Sequence, residues 1–259
     1  MDLGLNGKRA VVTGGSRGIG LGIARAFARE GADVLITART QSAVARAAEE
    51  IASEFGVAAR GVASDVATAE GCAAIVAAAA EMGGADIFVS NAGTGSNETV
   101  MDAPDAKWLE FWNLHVMAAV RLSRGLAPQM EARGGGAMLM NASICAVQPL
   151  WYEPIYNTTK AALMMFSKCL STEMIGRNIR VNTVNPGLVR TPDWKNTARE
   201  LRGEKWEDYL QAVADEHAPI RRFASVEELA DFCVFLCSAR ASYLVGSAVH
   251  VDGGMLRTV

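Results

Sequence analysis

The chain has 259 residues, half of them hydrophobic, enough to bury the core of one large α/β domain or two small ones. Its 25 basic and 28 acidic residues leave a formal charge of −3, which gives no reason to expect nucleic acid or an anionic membrane as partner. Residues 1–8 carry no apolar signal core and the apolar run 72–80 is too short to span a bilayer, so a soluble cytoplasmic protein is expected.

Residues 9–13 read as a buried strand, and 18–29 as an Ala-rich helix with Gly31 just past its end as C-cap. A second strand at 34–37 precedes a helix over 42–55, with Ser42 as a plausible N-cap. Strand, helix and strand recur at 58–63, 68–82 and 86–89. A long helix fits 105–131, a strand 137–140, and a helix about 155–175. Strands at 180–184 and 248–251 complete the series. Short apolar strands separated by helices indicate a parallel sheet covered on both faces. No Pro/Ser-rich linker or repeat interrupts the series, so one domain over 1–259 is expected, a doubly wound parallel α/β sheet of about seven strands. Ligands of such sheets bind outside the carboxyl ends of the strands, where Gly14, Asn91 and Ser143 fall. The irregular stretch 190–223, with Thr191-Pro192, Trp194, Trp206 and Tyr209, lies at that edge. It reads as a helical substrate lid, or else as a surface excursion whose aromatics pack into the core.

The five cysteines are scattered without a Cys-x-x-Cys, and read as buried free thiols of a reducing compartment. Of the three histidines, no two share metal-ligand spacing, so no metal site is expected.

The first strand runs into the first helix through Thr13-Gly14-Gly15-Ser16-Arg17-Gly18-Ile19-Gly20. Glycines permit a tight turn and close approach to a pyrophosphate, and a helix N-terminus offers free N–H groups. At the end of the second strand, where NAD binders usually place an acid, stands Thr37-Ala38-Arg39. Arg39 and Arg17 together would favour a 2′-phosphate, so NADP(H) is expected over NAD(H). Tyr156 and Lys160 stand four residues apart on one helix face, with Ser143 thirteen residues upstream of Tyr156. Such pairs also occur on solvated helix faces, and context must decide. An ammonium beside a phenol lowers the phenol's pKa, and a tuned phenol can exchange a proton with a carbonyl or alcohol oxygen held by a serine.

Taken in order, these motifs resemble the short-chain dehydrogenase/reductase family, including its 3-oxoacyl-[acyl-carrier-protein] reductase-like members. The glycine loop matches the family's cofactor loop, Asp65-Val66 its adenine contact, and Asn91-Ala92-Gly93 its Asn-Ala-Gly turn, although Ser90 stands where many members have a second Asn. Asn113 matches its helical Asn; Ser143, Tyr156 and Lys160 its catalytic trio; Asn185-Pro186-Gly187-Leu188-Val189-Arg190-Thr191 its Pro-Gly segment; and Val251-Asp252-Gly253-Gly254 its C-terminal ending. The resemblance implies a Rossmann-like fold and hydride transfer between NADP(H) and a carbonyl or secondary alcohol. Tyr156 would move the proton, Ser143 would bond the substrate oxygen, and Lys160 would tune Tyr156 and hold the nicotinamide ribose. Asn113 would anchor a water that relays protons from Lys160, with the alternative that it only satisfies its own amide in the helix. Pro186, Gly187, Val189 and Thr191 would lie along the nicotinamide. Similar members are commonly tetramers, and the nearly all-apolar 161–166 stretch and the 245–251 edge fit a homotetramer.

Gln148, Leu150, Trp151, Tyr152, Trp194 and Trp206 are expected to line the substrate pocket, and favour an apolar or ring-bearing substrate. His115, two residues past Asn113, points elsewhere on a regular helix and reads as packing. Two other functions remain open: a nucleotide-binding regulator without turnover, and an epimerase or dehydratase on the same scaffold.

Overall fold

The computed structural model describes residues 1–95, 97–150 and 152–257. Among them, seven strands form one parallel sheet: β1 (Arg9–Thr13), β2 (Asp33–Ala38), β3 (Ala59–Ala63), β4 (Ile87–Ser90), β5 (Gly136–Asn141), β6 (Ile179–Pro186) and β7 (Ala248–Val251). Their order is β3-β2-β1-β4-β5-β6-β7. The winding therefore reverses between β1 and β4, and a crevice opens at the carboxyl ends of those two strands.

Side chains alternate across each strand, and this splits the core in two. Ala10 and Val12 of β1, Val34 and Ile36 of β2, and Val89 of β4 pack with α1 (Gly18–Arg29), α2 (Gln41–Phe55) and α9 (Val226–Cys237). Val11, Leu35 and Phe88, the residues between, pack on the opposite face with α3 (Ala69–Glu81), α5 (Ala118–Ala132) and α6 (Pro154–Met174). Strands buried on both faces read as continuous apolar runs for this reason.

Gly31 ends α1 with φ +80° and donates its N–H to Ala28 O, as its position predicts. Two boundaries differ from expectation. Ser42 lies inside α2; the extended residue before that helix is Thr40, whose side chain makes no cap. The helix expected over 105–131 is interrupted. It runs as α4 (Asp105–Trp112), a π-helical turn (Asn113–Met117), and α5. One residue added to a turn leaves composition unchanged, so a 3.6-residue pattern does not reveal it.

The 190–223 stretch forms α7 (Pro192–Arg202) and α8 (Trp206–His217). The Thr191 hydroxyl caps α7 by accepting from Trp194 N at 3.4 Å. Among the described residues, no helix is long and apolar enough to cross a membrane.

Candidate active site

The turn from β1 into α1 is a cradle built for close approach. Gly14 and Gly18 have φ of +67° and +56°, values that side chains rarely adopt. A Cβ on Gly20 would come within 2.2 Å of Gly14 O, and one on Gly15 within 2.6 Å of Ile36. Arg17, preceding α1, provides no side-chain cap, and the first turn of the helix holds no acid. The N–H groups of that turn thus face an anion site at the positive end of the helix, which fits a dinucleotide pyrophosphate. Arg39 is exposed at the end of β2. The Arg17 guanidinium pairs with Asp193 of α7 at 3.0 Å. Asp65 is exposed, its carboxylate accepting from Ala67 N at 2.9 Å, and Val66 beside it is buried.

From this cradle a run of hydrogen bonds crosses the strand ends. The Thr13 hydroxyl accepts from Asn91 N at 2.9 Å and Ala92 N at 3.0 Å. Asn91 Nδ2 donates to Thr13 O at 2.9 Å, and Asn141 Nδ2 donates to Asn91 Oδ1 at 2.8 Å. Lys160 Nζ, buried, donates to Asn141 O at 2.8 Å and lies 5.4 Å from the centre of the Tyr156 ring. Gly93 sits directly against this group: a Cβ there would be 3.0 Å from His115 Nε2 and 3.6 Å from Lys160 Nζ.

Ser143 is buried just past β5, extended, and its hydroxyl accepts from Cys145 N at 3.2 Å. Burial pushes the Tyr156 phenol well above its ordinary value of 10, the Cys145 thiol adds to this, and a hydrogen bond with Ser143 opposes it. Burial also lowers the Lys160 ammonium from 10.5 to about 8. These directions correct the expectation of a phenol tuned downward: both groups are desolvated together, and the Lys160 ammonium bonds the Asn141 carbonyl, not the phenol oxygen. The phenol accordingly holds its proton at neutral pH.

The expected Asn113 is not brought to this group. Its Nδ2 donates to Leu109 O at 3.0 Å and its Oδ1 accepts from Arg121 Nη2 at 3.2 Å. Residues two apart on a helix face about 200° apart, so only one of 113 and 115 can face α6. The structure selects His115. It is 1% exposed, its Nδ1 lies 2.8 Å from Thr159 Oγ1, and its ring meets the Tyr156 ring edge-on at 5.6 Å. The Thr159 hydroxyl donates to Ile155 O at 2.9 Å, which leaves it to accept from His115 Nδ1. Thr94 N donates to His115 Nε2 at 3.3 Å. These partners assign a neutral imidazole protonated at Nδ1. Burial, and then the nearby Lys160, holds its pKa well below 6.5. The sequence signal was present in a histidine two residues along the helix, but the choice of face was not.

The remaining expected residues divide. Pro186 ends β6, and Gly187 donates to Val251 O at 3.0 Å, where a Cβ would come within 2.8 Å of Asp252 Cα. Val189 is buried and bridges to Ala224. Gln148 Oε1 accepts from Arg257 N at 3.2 Å. Tyr152 is half-buried, its phenol pushed up to about 12 by burial and then by Glu153. Trp194 packs edge-on against Phe223 at 5.2 Å, and Trp206 lies between the guanidiniums of Arg199 and Arg190 at 4.9 and 5.4 Å. Both indoles are half-buried within the 190–223 excursion. Trp151 lies outside the described residues. One nearby residue was not expected from the sequence: Glu153, just ahead of α6, whose charge is felt by Tyr152, Tyr156 and Cys145, and whose Oε1 a Cβ on Gly95 would meet at 2.6 Å. An acid placed immediately before the helix that carries Tyr156 was the signal available for it.

Comparison with known proteins agrees along the whole chain. The family model described as enoyl-(acyl carrier protein) reductase matches residues 14–256. The crystal structure of L-sorbose reductase from Gluconobacter frateurii, complexed with NADPH and L-sorbose, is 64% identical over 100% of both chains, with a TM-score of 0.99. Dehydrogenase/reductase SDR family member 4 of Oryctolagus cuniculus is 38% identical over 96% of this chain and 94% of its own. A 3-oxoacyl-[acyl-carrier-protein] reductase of Aquifex aeolicus is 32% identical over 98% of this chain and 100% of its own. Sequence identity at this level, running from the glycine cradle through the helix of Tyr156 to the last strand, places the chain in the short-chain dehydrogenase/reductase family of oxidoreductases.

Proposed function

We propose that this oxidoreductase interconverts a ketose and its polyol with NADP(H), as a single catalytic domain whose α7–α8 excursion forms the substrate lid. The observation that carries the substrate class is the 64% identity over both whole chains to an enzyme solved with NADPH and L-sorbose, joined by Glu153, whose charge reaches Tyr156 and Tyr152. A carboxylate accepts hydrogen bonds from hydroxyl groups and is costly against a purely apolar ligand. A polyhydroxylated body is favoured over the apolar or ring-bearing one that the aromatics suggested, because of the similarity to the enzyme solved with L-sorbose.

The cofactor, when bound, supplies or accepts the hydride. The N–H groups opening α1, from Gly18 to Gly20, would hold its pyrophosphate beside Gly14 and Ser16, with Arg39 and, once freed from Asp193, Arg17 at the 2′-phosphate. Asp65 and Val66 would face the adenine. Asn91 to Gly93, Lys160, and the segment from Pro186 to Thr191 would line the nicotinamide end. In reduction, the protonated Tyr156 gives its proton to the substrate oxygen, and the Ser143 hydroxyl bonds that oxygen. Lys160, an ammonium below about pH 8, places positive charge beside the developing alkoxide. His115 holds the far side of Tyr156 and, remaining neutral, does not compete with Lys160 for that charge.

A coupled absorbance assay tests this. NADPH oxidation should be fastest with L-sorbose and related ketoses, slower with NADH, and lost by at least 1,000-fold in Tyr156→Phe with NADPH binding retained. Preference for aryl ketones or acyl thioesters would refute the substrate class. The assembly is proposed to be a homotetramer, supported by the exposed Leu109, Trp112 and Met165 and the open edge of β7; a monomer by light scattering would refute it.

A further inference from the structure

We infer that Asn113 and Arg121 are a positioning pair that holds the π-helical turn open and so keeps His115 turned toward Tyr156 and Lys160. The inference rests on the proposed reading of His115 as part of the site. Both atoms of the Asn113 amide are used: Nδ2 on Leu109 O at 3.0 Å and Oδ1 on Arg121 Nη2 at 3.2 Å. Arg121, half-buried in the first turn of α5, anchors its other nitrogen Nη1 on Ala67 O at 3.0 Å, a carbonyl of the loop that precedes α3. The clamp thus runs from the end of α4 across the turn to a separate element of the fold.

The spacing shows why the clamp reports on the turn. Two α-helical turns take about 7.2 residues, so in a regular helix a residue eight positions on lies about 80° off the face of the first. Asn113 and Arg121 are eight apart and still meet. They meet because the backbone between them is widened by one residue, as the bond from Ala118 N to Asn113 O records. Relaxation of 113–117 to a regular helix would part Arg121 from Asn113 and would rotate His115 relative to α5. π-turns persist only where surrounding contacts hold them. Here the contact on the side away from the site is this pair, and the contact on the site side is His115 to Thr159 and Thr94.

The test uses Asn113→Leu, Arg121→Met and the milder Arg121→Lys, which keeps the charge but loses the fork. The first readout is the imidazole itself, followed by NMR in protein labelled at histidine carbon and assigned with His115→Phe. In the native protein His115 is expected to titrate well below 6.5 and so to stay neutral at pH 7. In Asn113→Leu and Arg121→Met it should titrate near 6.5, the value of a solvated imidazole. The second readout is kinetic: kcat with the ketose should fall about 10-fold or more while the Kd for NADPH stays within about 3-fold, with Arg121→Lys in between. Folded variants in which His115 still titrates well below 6.5 and kcat is unchanged would overturn the inference. Titration of His115 near 6.5 with kcat unchanged would uphold the positioning role and instead refute the assignment of His115 to the site.

Discussion

Lys160 illustrates how a single residue trades stability for chemistry. Its ammonium is buried with one backbone acceptor and has a pKa of about 8 in place of 10.5. Below pH 8 it is protonated in both folded and unfolded chains, and the folded state carries the full desolvation cost. As pH rises from 8 to 10.5 the folded state sheds its proton first, and the cost disappears. A shift of this size corresponds to about 3 kcal/mol. Lys160→Met should therefore be inactive yet, without cofactor, more stable than the native chain at pH 7, by about 1–2 kcal/mol after loss of the bond to Asn141 O. That advantage should vanish as the pH approaches 10.5. Chemical denaturation at pH 7 and pH 10 checks it; a variant less stable at pH 7 would show that Lys160 is not strained by its burial. His115 belongs to the same scale. Its identity was plain in the sequence, but its environment of Thr159, Thr94 and the Tyr156 ring comes from three other parts of the chain.

Among the elements, α9 depends on a residue far from it in sequence. Arg180 of β6 donates to Leu236 O at 3.0 Å, Leu244 O at 3.3 Å and Ser238 O at 2.9 Å, closing the C-terminal end of α9 with a guanidinium. A cation at that end also complements the helix dipole. Arg180→Met should cost about 2–4 kcal/mol, because three carbonyl groups lose their donor, while the KM for substrate is unaffected. Equilibrium urea unfolding measures the first and steady-state kinetics the second. At its N-terminus α9 is closed locally, by the box in which Ser225 accepts from Glu228 N and Glu228 accepts from Ser225 N. That box is readable in the sequence; the Arg180 cap is not, because the residues it joins are 56 or more positions apart.

At the scale of the whole molecule, the reversal of strand order between β1 and β4 sets the cradle of α1 beside the Asn91 turn, and β5 next to it brings in Ser143 and Lys160. A ligand binding there contacts segments from both halves of the sheet and should stabilise them as one unit. Saturation with NADPH at about 100 times its Kd contributes about 2.7 kcal/mol, which for a chain of this size raises Tm by roughly 5–10 °C. Differential scanning fluorimetry should show that shift with NADPH and a smaller one with NADH at equal concentration. An equal shift with both would show that the 2′-phosphate adds nothing to binding. The sequence alone determined the sheet, its parallel sense, the glycine cradle, and the Tyr156–Lys160 face, because each follows from local periodicity, backbone freedom at glycine, or a one-turn spacing. Tertiary structure decided which of Asn113 and His115 meets Tyr156, that Trp194 and Trp206 are packed within the excursion, and that the phenol pKa moves up and not down. The reason is common to all three: a π-turn, a packing partner and a desolvation cost are set by what distant segments place around a residue.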